Sequence, residues 1–317
     1  MRLWTHQRER QGLGQVWVHG EAAPADAPRL RHAALQACAA AGATPLLTRC
    51  AGAGWSPEDA ALSAYHGPDA TAAICIQAVR GGTCTDDGTV RHWRTPDGSL
   101  EATALTADDA SAACAAIATR LGWSSVQRTW WWLDDILGGY AEFNRVRSQH
   151  FAAAGLIRPD GGRTLPASTG IGLRPHGGRV RLEALAVPGC APLPLDLTAR
   201  QAAASNYGSS FARAVVTPTP TGPLLLISGT AAIDRAGATL HHGDAAAQAR
   251  ETVACLRAVL AAAGLPESAI VGGLAYAVDA TAEAAWRAAA PDWPVPVVRA
   301  VVCRPDLLVE CELAAHL

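Results

Sequence analysis

The chain has 317 residues, of which 50% are hydrophobic, and its formal net charge is −2. This length favours two domains with large apolar cores. The small net charge and the lack of long basic runs argue against nucleic acid or an anionic membrane surface as a partner. The first residues lack the apolar stretch of a secretory signal, and no segment approaches the roughly 18 apolar residues of a membrane span. We therefore expect a cytoplasmic protein.

Cysteine and histidine spacing bears on metal and redox chemistry. The nine cysteines are scattered without a C-x-x-C pair, and the ten histidines form no H-E-x-x-H motif. Scattered cysteines in a reducing compartment are mostly small buried apolar groups. The chain also has no G-x-G-x-x-G after a predicted strand and no phosphate-binding loop. We expect neither a metal nor a cofactor.

The first half of the chain contains one recognisable set of elements. Residues before about Tyr65 predict an added helix and strands. Hydrophobic spacing then predicts a helix over 108–121, a strand over 127–133, a helix over 140–154, and strands over 167–173 and 179–187. Three successive tryptophans, 130 to 132, alternate between the faces of the strand over 127–133 and are interpreted as core residues. A Pro-rich stretch over 188–197 predicts a linker between domains 1–190 and 198–317.

The second half repeats this order of elements. Strands are predicted over 224–228, 270–278, 295–303 and 307–313, with helices over 245–263 and 280–290. Residues 124–135 align without gaps over 268–279, and on that alignment Glu183 falls opposite Glu310. An internal repeat of this kind predicts two similar modules. The expected fold is α+β, with two tandem β-β-α-β-α-β-β modules, each a mixed sheet covered by two helices.

The order of short motifs resembles a known family. From residue 204 onward the chain has Ser228-Gly229-Thr230, Gln248 within a helix, Pro296 followed by Arg299, and Glu310-x-Glu312. This order resembles the YjgF/RidA family, whose fold is chorismate-mutase-like. The segments YAEFNRVRSQHF, LPASTGIG and SNYGSSFARA make the chain similar to the chorismatases, most of all to those that form 3-hydroxybenzoate. The resemblance implies cleavage of chorismate with release of pyruvate.

Glu310 is the main catalytic candidate. Leu308, Glu310 and Glu312 share one face of the last strand, and the other face is apolar and should pack on helices. The glutamates would then point towards a cleft, where partial burial raises a carboxyl pKa enough for proton delivery near neutral pH. The alternative is a solvated carboxylate on an edge strand. The resemblance implies that Glu310 is the catalytic glutamate.

Two carboxylates on chorismate call for two cationic anchors, because a guanidinium can hold a carboxylate in bidentate fashion. The resemblance implies Arg299 as one anchor, and Arg213 is our candidate for the second. Tyr207 or Phe211 occupies the position of the family tyrosine. Ser168 stands where we expect the first module's equivalent of Arg299, which suggests that the first module is a non-catalytic scaffold with a structural Glu183.

Further candidates lie near Glu310 in sequence or by resemblance. Cys303 precedes Glu310 by seven residues, and we expect the two strands to pair antiparallel and bring them close. The resemblance implies that Cys303 helps to set the product, and no neighbouring His or Lys is evident to form a thiolate. Gly229, Thr230 and Ala231 end a strand, where small residues let a ligand approach the backbone or simply form a tight turn.

Several alternatives stay open from the sequence. The product could be 4-hydroxybenzoate or a dihydroxycyclohexadiene carboxylate instead of 3-hydroxybenzoate. An imine deaminase like RidA, or a non-catalytic metabolite-binding protein, is a further alternative. Asn144, Arg145 and Arg147 face either the substrate or neighbouring strands. YjgF modules usually form trimers, so a monomer, a pseudo-symmetric arrangement and a homotrimer are all consistent with two modules in one chain.

Overall fold

The structure is a computed structural model that describes residues 1–55, the backbone of 62–63, and residues 71–196 and 198–317. The expected limit of the N-terminal elements near Tyr65 and the last residue of the predicted linker, Leu197, lie outside these residues. None of the described helices combines the length and the apolarity needed to cross a bilayer.

The C-terminal module is a six-stranded sheet with two helices on one face. The strands are β13 (Leu193–Leu195), β14 (Ala214–Thr217), β15 (Leu224–Ala231), β16 (Ile270–Ala277), β17 (Val297–Arg299) and β18 (Val309–His316), and the helices are α4 (Ala245–Ala262) and α5 (Ala280–Ala289). Across the sheet the strands lie in the order β13-β14-β15-β18-β16-β17. The two helices match their predictions closely. The predicted linker contains β13, and the strand predicted over 295–303 is reduced to three residues.

The middle module has the same arrangement. The strands are β6 (Thr83–Asp86), β7 (Arg91–Thr95), β8 (Gly98–Ala107), β9 (Val126–Leu133), β10 (Ala167–Gly172) and β12 (Val180–Ala186), and the helices are α2 (Ala110–Arg120) and α3 (Ile136–Ala153). Across the sheet the strands lie in the order β10-β9-β12-β8-β7-β6. A short pair joins β4 (Leu62–Ser63) to β11 (Arg174–Pro175). The predicted α+β fold with two tandem modules of mixed sheets under paired helices is therefore confirmed.

Strand register corrects one detail of the predicted repeat. In the middle module Trp130 pairs with Glu183, and in the C-terminal module the equivalent Leu274 pairs with Glu312. Glu310 lies opposite Tyr276, whose equivalent, Trp132, pairs with Arg181. The expectation that Glu183 matches Glu310 was therefore wrong, because alignment of the β9 and β16 segments alone did not determine the register of the last strand. Glu183 corresponds to Glu312.

The N-terminal residues form a third, four-stranded sheet with a related strand order. The strands β1 (Arg2–Arg10), β2 (Leu13–Ala22), β3 (Thr44–Gly52) and β5 (Ala72–Arg80) lie in the order β1-β2-β5-β3, with α1 (Ala27–Ala40) between β2 and β3. This order matches β14-β15-β18-β16. All three sheets also shift register at the same place, skipping Leu46, Gln127 and Val271. A shared bulge at an equivalent position indicates three copies of one supersecondary unit.

The three sheets share one apolar core. Each sheet packs helices against one face and turns the other face towards the molecular centre. The central cluster contains Trp17 from the N-terminal sheet, Trp130 and Trp132 from the middle sheet, and Leu274 and Tyr276 from the C-terminal sheet. Trp131, on the opposite face of β9, packs edge-on against Phe143 of α3. The tryptophans are core residues, as predicted, and one polypeptide has a pseudo-threefold arrangement.

Aspartate caps begin the helices of both six-stranded modules. Asp109, Asp135, Asp244 and Asp279 each accept a hydrogen bond from the backbone N–H three residues later. Such caps satisfy one of the free N–H groups at a helix start and suit its positive dipole end. Asp135 and Asp279 occupy equivalent positions of the repeat.

We expect Asp279→Ala to lower the free energy of unfolding by about 1 kcal/mol, because Ala282 N–H loses its acceptor at 2.8 Å. Chemical denaturation of the variant, with the exposed Asp292→Ala as a matched control, measures this difference. An equal effect of both substitutions would contradict a capping role for Asp279.

Candidate active site

A cleft between the middle and C-terminal modules gathers most of the predicted site residues. Strand β10 of the middle module lies beside β15 of the C-terminal module. Ser168 N–H donates to Ser228 Oγ at 2.8 Å, and Gly229 N–H donates to Thr169 Oγ1 at 3.0 Å. The cavity along this junction has Glu310 at its C-terminal wall and α3 on the opposite side.

Glu310 is a buried carboxyl, with 5% of its surface exposed, and not a solvated edge residue. It lies on β18 between Ala231 of β15 and Tyr276 of β16. Burial raises the pKa of Glu310 to about 8, and the negative charge of Glu312 adds to this, against the opposing charges of Arg128, Arg213 and Arg304. At neutral pH Glu310 is therefore mainly protonated and can act as a proton donor.

The small residues at the end of β15 divide between the two faces of the strand. Gly229 and Ala231 line the cavity, whereas Thr230 points away from it and donates its hydroxyl to Ser228 O at 2.9 Å. A Cβ atom built on Gly229 would overlap Glu310 Oε1. Glycine is therefore required at this position for Glu310 to adopt its observed orientation.

Arg213 and Arg304 supply positive charge from the C-terminal module. Arg213 is buried; its Nε donates to Ala202 O at 2.9 Å and its Nη2 donates to the Tyr207 hydroxyl at 2.6 Å. Arg304 Nη1 donates to Gly237 O at 2.5 Å, and its guanidinium lies 5.5 Å from the centre of the Tyr207 ring. Both arginines line the same cavity as Glu310.

Arg147 supplies a third guanidinium, from α3 of the middle module. It is buried, donates to Asn144 Oδ1 at 2.7 Å and to Ser168 Oγ at 3.2 Å, and stacks over Phe143 at 4.7 Å. The sequence did not indicate whether Asn144, Arg145 and Arg147 face the substrate or neighbouring strands. In the structure the middle module contributes a whole wall of the cavity, so it is more than a support for the C-terminal module.

Arg299 lies elsewhere, which corrects its predicted position beside Glu310. Strand β17 is an edge strand of the C-terminal sheet, separated from β15 by β18 and β16, and Arg299 Nε donates to Glu283 Oε2 at 3.2 Å. In register, Arg299 pairs with Ala277, and the equivalent of that pair in the middle module is Gly172 with Leu133. The expected equivalence of Arg299 and Ser168 was therefore wrong. Ser168 instead belongs to the Glu310 cavity.

Arg299 belongs to a different junction, between the C-terminal module and the N-terminal sheet. There Arg287 bridges Glu283 at 3.0 Å and Glu21 of β2 at 2.6 Å. Glu21 also accepts from the backbone N–H of Val297 at 3.2 Å. Ion pairs thus fill the junction that corresponds, by the internal repeat, to the Glu310 cleft.

Tyr207 and Phe211 both line the cavity, so both of the alternatives for the family tyrosine position face it. Tyr207 lies in a short turn, Ala204–Tyr207, and accepts the hydrogen bond from Arg213. The guanidinium groups of Arg147 and Arg213 lie 5.8 and 5.5 Å from the centre of the Phe211 ring. The two aromatic rings therefore position the cations of the site.

Cys303 also lines the cavity, although the predicted strand pairing that was to bring it there was wrong. Strand β17 ends at Arg299 and pairs with β16 alone, so Cys303 lies in the loop before β18. Burial raises the pKa of the Cys303 thiol to about 12, and the charge of Glu310 adds to this effect. The thiol is therefore neutral, and its position suits shaping of the cavity better than nucleophilic attack.

Two cavity residues, Arg304 and Tyr140, were missed as sequence candidates. Arg304 directly follows the candidate Cys303 in the sequence, and this position was a usable signal. Tyr140 lies at the start of α3, where burial raises the pKa of its hydroxyl. Within the part of the chain that the structure describes, no cluster of His, Cys, Asp and Glu could hold a metal ion.

Comparison with known proteins supports the fold. Residues 202–317 match the family model described as Endoribonuclease L-PSP. A solved structure described as a chorismatase is 23% identical, with a TM-score of 0.64, over 86% of this chain and 93% of that one. No curated protein matches the chain.

Single-module proteins align with about a third of the chain. The YjgF gene product of E. coli is 24% identical, over 33% of this chain and 87% of that one, with a TM-score of 0.29. Rv2704 from Mycobacterium tuberculosis is 24% identical, over 34% of this chain and 86% of that one, with a TM-score of 0.28. The likeness to the chorismatase structure supports the fold over 86% of the chain.

We expect Gly229→Ala to lower the free energy of unfolding by roughly 1–3 kcal/mol, because the new methyl group must displace Glu310 or β15. Gly139→Ala is the control, since nothing lies within 4 Å of the added Cβ in α3. That substitution should be neutral or stabilising, because alanine favours a helix interior. Urea denaturation of both variants measures whether the free energy of unfolding falls in Gly229→Ala and stays the same or rises in Gly139→Ala.

Proposed function

We propose that the protein is a chorismatase that converts chorismate to 3-hydroxybenzoate and pyruvate. The observation that carries this proposal is a buried, protonated Glu310 in a cleft that also contains three guanidinium groups. The likeness in fold to a solved chorismatase over 86% of the chain supports it. The resemblance of the motifs around residues 140–151, 165–172 and 205–214 adds independent support from the sequence.

The charges of the cleft suit a substrate with two carboxylates. Arg213 and Arg304 on one wall and Arg147 on the other carry donors that can hold carboxylate oxygens. Between them, Glu310 is the one carboxyl among the residues that line the cavity. A dianionic ring bound by these arginines would bring its enolpyruvyl ether close to the Glu310 proton.

The proposed reaction needs no added water or oxidant. The ring hydroxyl next to the ether attacks the ether-bearing ring carbon, and the carbon–oxygen bond to the enolpyruvyl group breaks. Glu310 gives its proton to the departing enolpyruvyl group, which leaves as pyruvate, and the resulting carboxylate takes the proton of the attacking hydroxyl. When the epoxide-like ring opens, its oxygen takes that proton back from Glu310, and the ring proton that is lost as the ring becomes aromatic restores Glu310. All atoms of chorismate are recovered in 3-hydroxybenzoate and pyruvate.

Substrate entry requires a local movement. The cavity has room for only about 40 Å³ in this arrangement, and Tyr207 contacts both Arg213 and Arg304 in its lining. That space holds a few water molecules at most and is far below the size of chorismate. We infer that the turn Ala204–Tyr207 swings outward and that the substrate carboxylates replace the contact between Tyr207 and Arg213.

The product branch depends on whether water can reach the enolpyruvyl carbon that bears the ether oxygen. Cys303 has a neutral thiol beside Glu310, and a thiol of this kind favours a drier wall than a hydroxyl or amide would. A dry wall favours attack by the ring hydroxyl over attack by water. Incubation with chorismate in oxygen-18-labelled water, followed by mass spectrometry, identifies the products: solvent oxygen in the pyruvate ketone would indicate the hydrolytic branch, and 4-hydroxybenzoate would indicate a third branch.

Glu310→Gln should reduce pyruvate release from chorismate by about 10²–10⁴-fold, because the amide cannot donate the proton. A coupled lactate dehydrogenase assay measures pyruvate directly. The exposed Glu267→Gln is the control, since its partner, Arg257, is remote from the cleft. Full activity of the Glu310 variant would end the proposed mechanism. Ammonia release from imine substrates without pyruvate release from chorismate would favour a deaminase.

Arg304→Gln should raise KM for chorismate by about tenfold or more, since a charge-assisted hydrogen bond contributes about 1.5–3 kcal/mol. Arg299→Gln is the matched control, because Arg299 is paired with Glu283 outside the cavity. Steady-state kinetics with both variants distinguish the two arginines. A larger effect of Arg299 on KM would restore it as the substrate anchor and contradict the assignment of Arg304.

A further inference from the structure

Glu312, two residues beyond Glu310, is held by donors from two other sheets. Arg49 Nη1 of β3 donates to its Oε1 at 2.5 Å, and Arg128 Nη2 of β9 donates to its Oε2 at 2.6 Å. Trp130 Nε1 donates to Oε1 at 2.8 Å, and both guanidinium groups stack over the Trp130 ring, at 4.2 and 4.8 Å. All four side chains are buried. Each sheet of the molecule therefore supplies a part of this cluster.

The cluster has an unbalanced charge. Two arginines surround one carboxylate, so its net charge is +1 when Glu312 is ionised. Burial by itself opposes ionisation, but Arg49 and Arg128 outweigh it and lower the pKa of Glu312, helped by a hydrogen bond from Thr169. Ion pairs buried in this way contribute little net stability, because desolvation offsets their attraction. A contribution to fold stability is therefore a weak explanation for the cluster.

The cluster lies within electrostatic reach of Glu310. Glu310 and Glu312 are on the same face of β18, and alternate residues of a strand are about 7 Å apart. The groups that act on the pair come from every neighbouring element. They are Arg49 and Cys75 of the N-terminal sheet, Arg128 of the middle module, and Arg213, Tyr276, Cys303, Arg304 and Cys311 of the C-terminal module. Tyr140, Arg147 and Tyr207 line the same cavity as Glu310, and His19 lines a cavity with Glu312. Glu183 acts on Arg49 and Cys75.

The charge of Glu312 acts on Glu310 in one direction. A negative charge nearby disfavours a second carboxylate, and the same charge cancels one of two buried guanidinium groups that would otherwise draw the proton off Glu310. Arg49 has the opposite influence, since it neutralises Glu312. Burial is the largest cause of the raised Glu310 pKa, and the balance between Glu312 and its two arginines adjusts it further.

The cluster also reaches the backbone beside Glu310. Arg128 Nη2 contacts Thr169 Oγ1, which in turn accepts the Gly229 N–H at 3.0 Å. Gly229 is the residue whose lack of a side chain leaves room for the Glu310 carboxyl. The same arginine that binds Glu312 thus helps to fix the strand against which Glu310 packs.

We propose that Arg49, Arg128 and Glu312 form a positioning cluster that adjusts the protonation of Glu310: Glu312 favours the protonated form, Arg49 and Arg128 limit this effect, and the N-terminal sheet takes part in catalysis by supplying Arg49. This inference rests on the proposed function for its catalytic meaning. It assigns residues outside the substrate cavity to control of the proton donor. It also gives the N-terminal sheet a chemical role.

The pH dependence of activity tests the cluster through opposite shifts. Activity requires protonated Glu310, so it should fall as the pH rises through about 8 in the native protein. Glu312→Gln leaves two unopposed arginines, so the pH at which activity falls should decrease by about one unit. Arg49→Met removes one of these positive charges, so the pH at which activity falls should increase. The double variant Arg49→Met/Glu312→Gln restores the net charge of +1 and should return the fall close to its native pH.

A purely structural role predicts a different pattern. Loss of packing would lower the activity of both single variants without moving the fall in opposite directions, and the double variant would be no better than either. Arg49→Lys is the conservative variant and should shift the fall less than Arg49→Met. If Glu312→Gln does not fold, Arg49→Met is the decisive variant, because Glu312 keeps Arg128 as its partner. If the activity of Arg49→Met falls at the native pH or at a lower pH, the proposal is overturned.

A second measurement separates this inference from the proposed function. Infrared spectroscopy of the ligand-free protein follows the protonated carboxyl band that disappears in Glu310→Gln, and its titration needs no substrate. Opposite shifts of that titration in the two single variants, together with no pyruvate release by the native protein, would support the cluster and reject the chorismatase proposal. Pyruvate release by the native protein without opposite shifts of the titration would support the chorismatase proposal and reject the cluster.

Discussion

The burial of Glu310 is the constraint on which the rest of the structure depends. Moving a carboxylate out of water is costly, so a buried carboxyl must be neutral or closely paired. The two glutamates on one face of β18 differ in this respect, since one is neutral and the other is ionised and paired. Glu310 is mainly protonated in a cavity beside Gly229, whereas Glu312 is ionised between Arg49 and Arg128. Both solutions need side chains from other sheets, and neither could exist in an isolated C-terminal module.

The threefold repeat explains how a single chain builds such a site. Three related sheets pack around a shared apolar core, and each junction between sheets has a comparable geometry. At one junction small residues of β15 leave a cavity in front of Glu310. At another, Glu21 and Arg287 fill the corresponding space with ion pairs. Because the modules share one polypeptide, each junction can carry its own side chains, which identical subunits of a symmetric assembly could not do.

The sequence by itself determined the elements and the central carboxyl. Alternation along β18 separated the apolar residues that pack under the helices from the two glutamates, and periodicity located α2, α4 and α5 within a few residues. These features depend on local spacing, which the burial of one face enforces wherever the element lies. The small residues at the end of β15 were also accessible from the sequence, whereas the nearness of Cys303 to Glu310 was predicted through a strand pairing that the structure does not contain.

Only the tertiary structure decided which cations surround Glu310. Arg299 and Arg304 are five residues apart, yet β17 directs one to the N-terminal sheet while the loop after it brings the other to Glu310. Three further arginines come from segments far from Glu310 in sequence: Arg49, Arg128 and Arg147. Their local sequence patterns do not predict that they lie near Glu310 in the fold. Strand order and register bring these groups together, and both are fixed by packing between sheets, a non-local property that spacing along the chain does not encode.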